Sequence, residues 1–363
     1  MAKKLSSDST LFAATVALLG MGLVLVWSAS SVLAEEVHGN AYHFLVRQVV
    51  WAAVGLAVMV AAMRFDYRKL RRPGLVYLAV GTATVLLILV LFVRPVNDVH
   101  RWLRLGALSF QPAELAKLAM VLFLAYHLER RGERINDFLP SLFPALLLLG
   151  WFAFLVFIQP DLGTAATMVL VGSVMLFLAG VRLRYFAALS LPAMLFLYQA
   201  VMGAGYRRDR IEAFLNPNSD PRGSGYQIIQ SLIAVGTGGV SGLGLMEGRQ
   251  KLFYLPYPYS DFIYAVIGEE LGLLGAGAVV LAFLFFLWRG LRTAWRAPDP
   301  FGTYLAAGLT LAIVLQAFIN LSVVLGLLPA KGIPLPFISA GGSSLVLTLV
   351  AVGLILNVSQ HAD

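Results

Sequence analysis

Few residues in this chain could do chemistry, because only 13% of its 363 residues are charged. One group reads Gln111-Pro-Ala-Glu114-Leu-Ala-Lys117. Pro112 suits a first helical turn, and Glu114 and Lys117, three apart, share a helix face. Charges at membrane depth are costly and face a partner or a polar cavity. The pair therefore either neutralises itself and orients its helix, or lines a water-filled opening. A second group is Asp261, followed after an apolar run by Glu269 and Glu270. A carboxylate ahead of a helix can be an N-cap. Asp261 also ends the only long polar loop, where a compact bundle would turn it toward Glu114 and Lys117. The third group is Lys331-Gly-Ile-Pro-Leu-Pro-Phe337, then Ile-Ser-Ala-Gly-Gly-Ser343-Ser344. Its prolines and glycines interrupt a helix entry, which suits a polar cavity or close glycine-mediated packing. The glycine-rich run Gly236–Gly244 lacks the Lys-Ser/Thr ending of a phosphate loop and follows no parallel strand. It reads as a flexible hinge.

The elements that must position these groups are membrane helices. The chain is 59% hydrophobic with a mean hydropathy of +0.81, well above a soluble domain. Several apolar blocks exceed the roughly 18 residues that cross a bilayer. The expected fold is an all-α polytopic membrane protein: one membrane domain over residues 1–363, built on a bundle of about ten transmembrane helices. The spans are expected near 9–30, 45–63, 75–93, 111–127, 139–158, 162–180, 184–203, 262–288, 302–325 and 337–358. Pro160, Asp161 and Gly163 mark a tight reversal between the fifth and sixth. The first block is long enough to span and reads as an uncleaved helix. With no cysteine, disulfides, thiolate metal sites and cysteine nucleophiles are excluded.

The net charge of +8 is mostly topology. With the N-terminus inside, Lys3–Lys4, Arg64–Arg72, Arg130–Arg134, Arg182–Arg184 and Arg289–Arg296 put 15 of the 27 basic residues on the cytoplasmic side. Short connections on the other side hold Arg94, Arg101, Arg104 and Lys331, while Arg47 and Lys117 lie nearer or inside helices. Nucleic acid is not the expected partner. The remaining basic residues fall in one large extracytoplasmic loop, about 204–261. Its Arg207, Arg208, Arg210, Arg222, Arg249 and Lys251 meet Asp209, Glu212, Asp220, Glu247 and Asp261, six against five, a balance of +1. A loop this long is functional or disordered. Ile228, Ile229, Leu232 and Ile233, at near-helical spacing, favour a segment that packs back on the bundle.

Taken together, these segments closely resemble the SEDS family of shape, elongation, division and sporulation proteins. The resemblance rests on Arg101 to Lys117, Gln159-Pro-Asp-Leu-Gly-Thr164, Tyr226-Gln-Ile-Ile-Gln230-Ser231, Leu255 to Gly272 and Gly332-Ile-Pro-Leu-Pro-Phe337, and it covers essentially the whole chain. Tyr206 to Pro217 and Gly248 to Pro256 are more similar to the division branch than to the elongation branch. The chain departs from the family at Tyr259-Ser260, where His-Thr is common, and at Ala340, where Tyr is usual. Those departures bear on local packing.

The resemblance implies a peptidoglycan glycosyltransferase of the bacterial cytoplasmic membrane, with both termini cytoplasmic and its active site outside. It would polymerise lipid II onto an undecaprenyl-linked glycan strand during septal wall synthesis. An α-linked donor giving a β-1,4 bond requires inversion, for which one carboxylate base suffices. Asp261 is the expected base. Glu114, Lys117, Arg101, Arg210, Lys331, Gln230 and Ser343 are expected to line the cavity or bind substrate and pyrophosphate. No metal-ligand cluster is legible and no cofactor is required by the pattern, although Mg2+ or Mn2+ could bridge Asp261 and pyrophosphate oxygens. No Ser-x-x-Lys motif occurs, so crosslinking is expected from a class B penicillin-binding protein, alongside other divisome or elongasome membrane proteins. The rival readings are an elongation polymerase, a flippase for the lipid-linked precursor and a non-enzymatic scaffold.

Overall fold

The computed structural model describes residues 7–93, 95, 99–105 and 108–362. Lys3, Lys4 and Arg94, used above for orientation, lie outside them. Twelve α-helices are present among the described residues: α1 (Ser9–His38), α2 (His43–Arg64), α3 (Pro73–Leu89), α4 (Pro112–Arg131), α5 (Phe143–Ile158), α6 (Leu162–Leu178), α7 (Leu183–Met202), α8 (Gly205–Leu215), α9 (Tyr226–Gly238), α10 (Ile263–Trp295), α11 (Pro300–Val324) and α12 (Gly342–Ser359). A small antiparallel hairpin, β1 (Leu103–Leu105) and β2 (Leu108–Phe110), precedes α4.

Among the described residues, eight of the ten expected spans are long and apolar enough to cross a bilayer by themselves. The two that fall short sit in the same bundle for visible reasons. Helix α6 has 17 residues, and α4 carries Glu114, Lys117, Glu129, Arg130 and Arg131. Helix α11 lies at the centre, with 78% of its apolar window buried against α4, α6, α10 and α12. Small residues allow a close approach between α2 and α12. A side chain on Gly353 would meet the Met59 carbonyl, and one on Gly55 would meet Leu349. Helix α7 is the opposite case, since its apolar window buries nothing.

One end of the bundle gathers both termini. Arg289 pairs with Asp8 at 2.7 Å, and the Asp8 amide donates to Ser359 Oγ at 3.0 Å. The Tyr67 amide donates to Asn357 Oδ1 at 2.9 Å and its hydroxyl to Asp299 at 2.5 Å. The basic connections near Arg68, Arg134, Arg182 and Arg292 belong to the same set of interhelical turns. The hairpin, the loop between α7 and α10 and the loop between α11 and α12 form the other end.

Two expectations about the long loop need correction. Helix α9 packs on α10 and α11 through Ile228, Ser231, Ala234 and Gly238, while Leu232 and Ile233 stay exposed. Small residues face inward because the helices cross closely: a side chain on Gly238 would run into the Gly268 carbonyl. The run Gly236–Gly244 is a fixed splice rather than a hinge. Helix α10 breaks at Gly272, which has φ 62° and ψ −162°, leaving backbone groups unpaired on both sides of the break. The amides of Leu243 and Gly244 donate to the carbonyls of Glu269 and Glu270 at 3.0 Å. The amides of Leu273 and Leu274 donate to Gly239 and Val240 at 2.9 and 3.2 Å. Gly242 and Gly272 make this approach feasible, since a side chain on either would overlap the opposing backbone.

Glu269 and Glu270 anchor the same splice. Glu269 Oε1 accepts from the Arg249 amide at 2.8 Å and the Gln250 amide at 3.1 Å. Glu270 pairs with Lys251 at 2.6 Å and accepts from the Ser28 hydroxyl at 2.7 Å.

Candidate active site

A cavity of about 260 Å3 opens between the α5–α6 turn, α7, α8 and the α11–α12 loop. Arg101, Arg207, Arg210 and Lys331 line it together with Asp161 and Gly332. The three arginines are held by backbone carbonyls, Arg207 by that of Ala200 at 2.9 Å. Arg101 donates to the carbonyls of Gln159, at 3.2 Å, and Pro160, and lies 3.9 Å from Asp161. Arg210, on α8, donates to the Ala330 carbonyl at 3.3 Å. Burial lowers the pKa of Arg210, and the charge on Arg101 adds to that. Burial lowers that of Lys331 too, opposed by Asp161. Several positive groups thus crowd a partly desolvated space with one carboxylate on its wall. That arrangement suits a multivalent anion.

Asp261 stands at the edge of this cavity. A side chain added at Gly332 would come within 3.0 Å of its carboxylate. The carboxylate is not an N-cap: α10 starts at Ile263 with no side-chain cap, and Asp261 instead accepts from Ser260 Oγ at 3.0 Å. Its backbone is held on several sides. Asn320 Nδ2 donates to the Asp261 carbonyl at 2.8 Å and to that of Ile333 at 2.7 Å. Ser339 Oγ donates to the Ser260 carbonyl at 2.6 Å, and the Ala340 amide donates to Tyr259 at 2.9 Å. Burial raises the pKa of Asp261, with Ser260 and Arg101 opposing it. A carboxylate so placed is a stronger base once ionised. Gly332→Ala is expected to push this carboxylate aside and lower turnover on the order of tenfold with the fold intact, as read by turnover beside a thermal melt.

The other expected site residues lie elsewhere. Glu114 and Lys117 pair at 2.8 Å beside a separate cavity of about 20 Å3. Lys117 Nζ donates to Gln316 Oε1 at 2.5 Å, and Gln316 Nε2 to the Pro334 carbonyl at 3.0 Å. The pair therefore reaches the loop that carries Lys331 and Gly332 through Gln316, and does not face Asp261. Ser343 accepts from the Gln111 amide at 3.2 Å, tying α12 to the start of α4. Gln230 sits half-buried on α9 and is absent from the cavity lining.

Four residues escaped the sequence reading as site members, among them Arg207, which was read only as one loop charge of several. Asp161 caps α6 through the Thr164 amide at 3.1 Å, a role signalled by Pro-Asp-x-x-Thr, yet it also faces Arg101. Gln316 and Asn320 were visible only as amides inside an apolar span. Among the described residues, no cluster of three or more His, Cys, Asp or Glu could hold a metal ion. The two departures at Tyr259 and Ala340 meet in one backbone contact, and the Tyr259 ring stacks on Phe44 at 4.6 Å.

The family model of FtsW, RodA and SpoVE, described as cell cycle proteins, matches residues 9–363. The chain is 45% identical over 358 residues to a probable peptidoglycan glycosyltransferase FtsW of Geobacter sulfurreducens, covering 98% of this chain and 95% of that one. It is 43% identical over 361 residues to stage V sporulation protein E of Bacillus subtilis, with 99% of each covered. Among solved structures it is similar to a chain of a peptidoglycan synthase complex studied for its coordination of polymerization and crosslinking. That match has 32% identity, a TM-score of 0.80 and 98% of both chains covered. The rod shape determining protein RodA of Thermus thermophilus matches with 28% identity and a TM-score of 0.71, over 98% of this chain and 97% of that one.

Proposed function

Because this chain belongs to the FtsW, RodA and SpoVE family of cell cycle proteins, we propose that it polymerises lipid II with Asp261 as general base. The chain is a multi-pass membrane protein and a peptidoglycan glycosyltransferase of the FtsW type. What supports the finer reading is one observation: a carboxylate not spent on helix capping stands beside a cavity lined by Arg101, Arg207, Arg210 and Lys331.

In the reaction, the acceptor 4-hydroxyl gives its proton to Asp261 as its oxygen attacks C1 of the donor sugar. The bond from C1 to the pyrophosphate oxygen breaks on the opposite face, and the electron pair leaves with undecaprenyl pyrophosphate. Arg101, Arg210 and Lys331 offset that charge from fixed positions, which needs no reorganisation as the bond breaks. Glu114 and Lys117 act at one remove, by holding the Pro334 carbonyl through Gln316. Asp261 is also the carboxylate that a Mg2+ or Mn2+ ion carried by the pyrophosphate would meet. The end that gathers the termini is cytoplasmic, since it carries the basic turns, and the cavity end is outside. A class B penicillin-binding protein supplies crosslinking.

The test is polymerisation of purified lipid II by the purified protein with that partner. Glycan strands are expected, and none from the wild type would overturn the reading. Because Asp261 acts unprotonated with a raised pKa, the rate should fall as pH drops through a value above the ordinary carboxylate range. A rate flat down to pH ~4 would remove Asp261 as the base.

A further inference from the structure

A second cavity, of about 250 Å3, lies against the first and is lined by Phe44, Arg47, Gln48, Trp51, Trp102 and Tyr259, among others. The two share no lining residue, and the same three segments contribute to both. Arg101 lines one and its neighbour Trp102 the other. Lys331 and Gly332 line one, and Ala340 and Gly341 of the same loop line the other. Asp261 abuts Gly332, whereas Tyr259 lines the second cavity.

Their chemistry differs sharply. The first cavity holds four cations; the second holds Arg47, which donates to Ser109 Oγ at 3.3 Å, and four aromatic side chains. Phe44, Trp51, Trp102 and Tyr259 are all half-buried, so part of each ring remains open. Apolar ring faces beside a few polar edges are what a pyranose ring requires, with its C–H face on one side and hydroxyls around its rim.

We propose that this aromatic cavity binds the N-acetylated sugar of the acceptor, and that Trp102 and Tyr259 set its hydroxyl against Asp261. The proposal rests on the glycosyltransferase reading. Inversion places the attacking hydroxyl and the base on the face of C1 opposite the leaving group. The pyrophosphate belongs with the cations, which leaves the acceptor on the side of Trp102 and Tyr259, with Asp261 between the two groups. Trp102 therefore governs acceptor binding, and Arg101, one residue earlier, governs the leaving group.

The experiment uses the full-length protein in detergent with N,N′-diacetylchitobiose and inorganic pyrophosphate as separate probes, followed by saturation-transfer and phosphorus NMR. The wild type should bind both. Trp102→Ala should lose the chitobiose signal and keep pyrophosphate binding, which also reports an intact fold, while Trp102→Phe should recover chitobiose binding. In the polymerisation assay Trp102→Ala should raise KM for lipid II about tenfold with kcat changed less than about threefold. Absence of chitobiose binding to the wild type, equal binding to Trp102→Ala, or a fall in kcat at unchanged KM overturns the proposal. A wild type that binds chitobiose but makes no polymer would instead sink the glycosyltransferase reading.

Discussion

Replacing Asp261 by Asn should lower lipid II polymerisation by about 10²–10⁴-fold, the usual worth of a positioned general base, while leaving the protein folded and more heat-resistant. The substitution keeps the shape of the side chain and its contact with Ser260 Oγ. It also keeps the backbone bonds from Asn320, Ser339 and Ala340. What disappears is the ability to accept the acceptor proton. The stability change follows from burial. Burial raises the folded-state pKa of Asp261 above the ordinary carboxylate range, so folding is unpenalised below that range. Stability falls as pH rises from there toward the raised pKa, so a penalty is present at neutral pH. A neutral Asn escapes it. The Tm in detergent should therefore rise at pH 7 and match the wild type in acid. Activity within about threefold of wild type at equal lipid II would end the assignment of Asp261 as base.

The second large effect concerns an ion pair far from the reacting atoms. Lys251→Met should destabilise the protein by about 3–5 kcal/mol, because removing one partner of a buried pair strands the other. Both side chains are nearly inaccessible, at 4% and 0% exposure, and lie 2.6 Å apart. Lys251 also donates to Ser28 Oγ at 3.0 Å and to the Met246 carbonyl at 2.8 Å. Adding Glu270→Gln should restore much of the loss, since the stranded carboxylate is what costs. Chemical denaturation of the single and double variants in detergent reads this directly. A double variant no more stable than Lys251→Met would show that the two groups are not coupled.

The membrane spans were legible because apolar content and basic turns follow simple rules, and Asp261, Arg101, Arg210 and Lys331 were legible as scarce charges near the ends of spans. Contacts made across the chain were not. Glu269 and Glu270 had no partner that spacing could name, since Lys251 and the amides near Arg249 come from a loop folded back on the helix. The run Gly236–Gly244 looked flexible for the same reason: the backbone groups it satisfies belong to the break at Gly272, which hydropathy does not register. Glu114 and Lys117 were expected to face Asp261. They share its end of the bundle, but α4 turns them toward Gln316 of α11, and helix rotation inside a bundle is set by packing that a single span cannot reveal. The aromatic cavity was invisible because Phe44, Trp102 and Tyr259 are scattered over the chain and look singly like ordinary apolar residues.

The break at Gly272 also bears on how the protein is made. Residues 273–295 are apolar down to Arg289 and can enter the bilayer by themselves. The stretch 263–271 carries Glu269 and Glu270 near its end, and a lone charge carried to mid-bilayer costs about 3 kcal/mol on the insertion scale. That piece can settle only when residues 239–251 bring Lys251 and the matching amides with them. Insertion is therefore expected to follow an order, with the long span entering first and the short segment beside Asp261 docking with residues 239–251. On that order Asp261, two residues ahead of the short segment, reaches its place beside Gly332 only after the loop has docked.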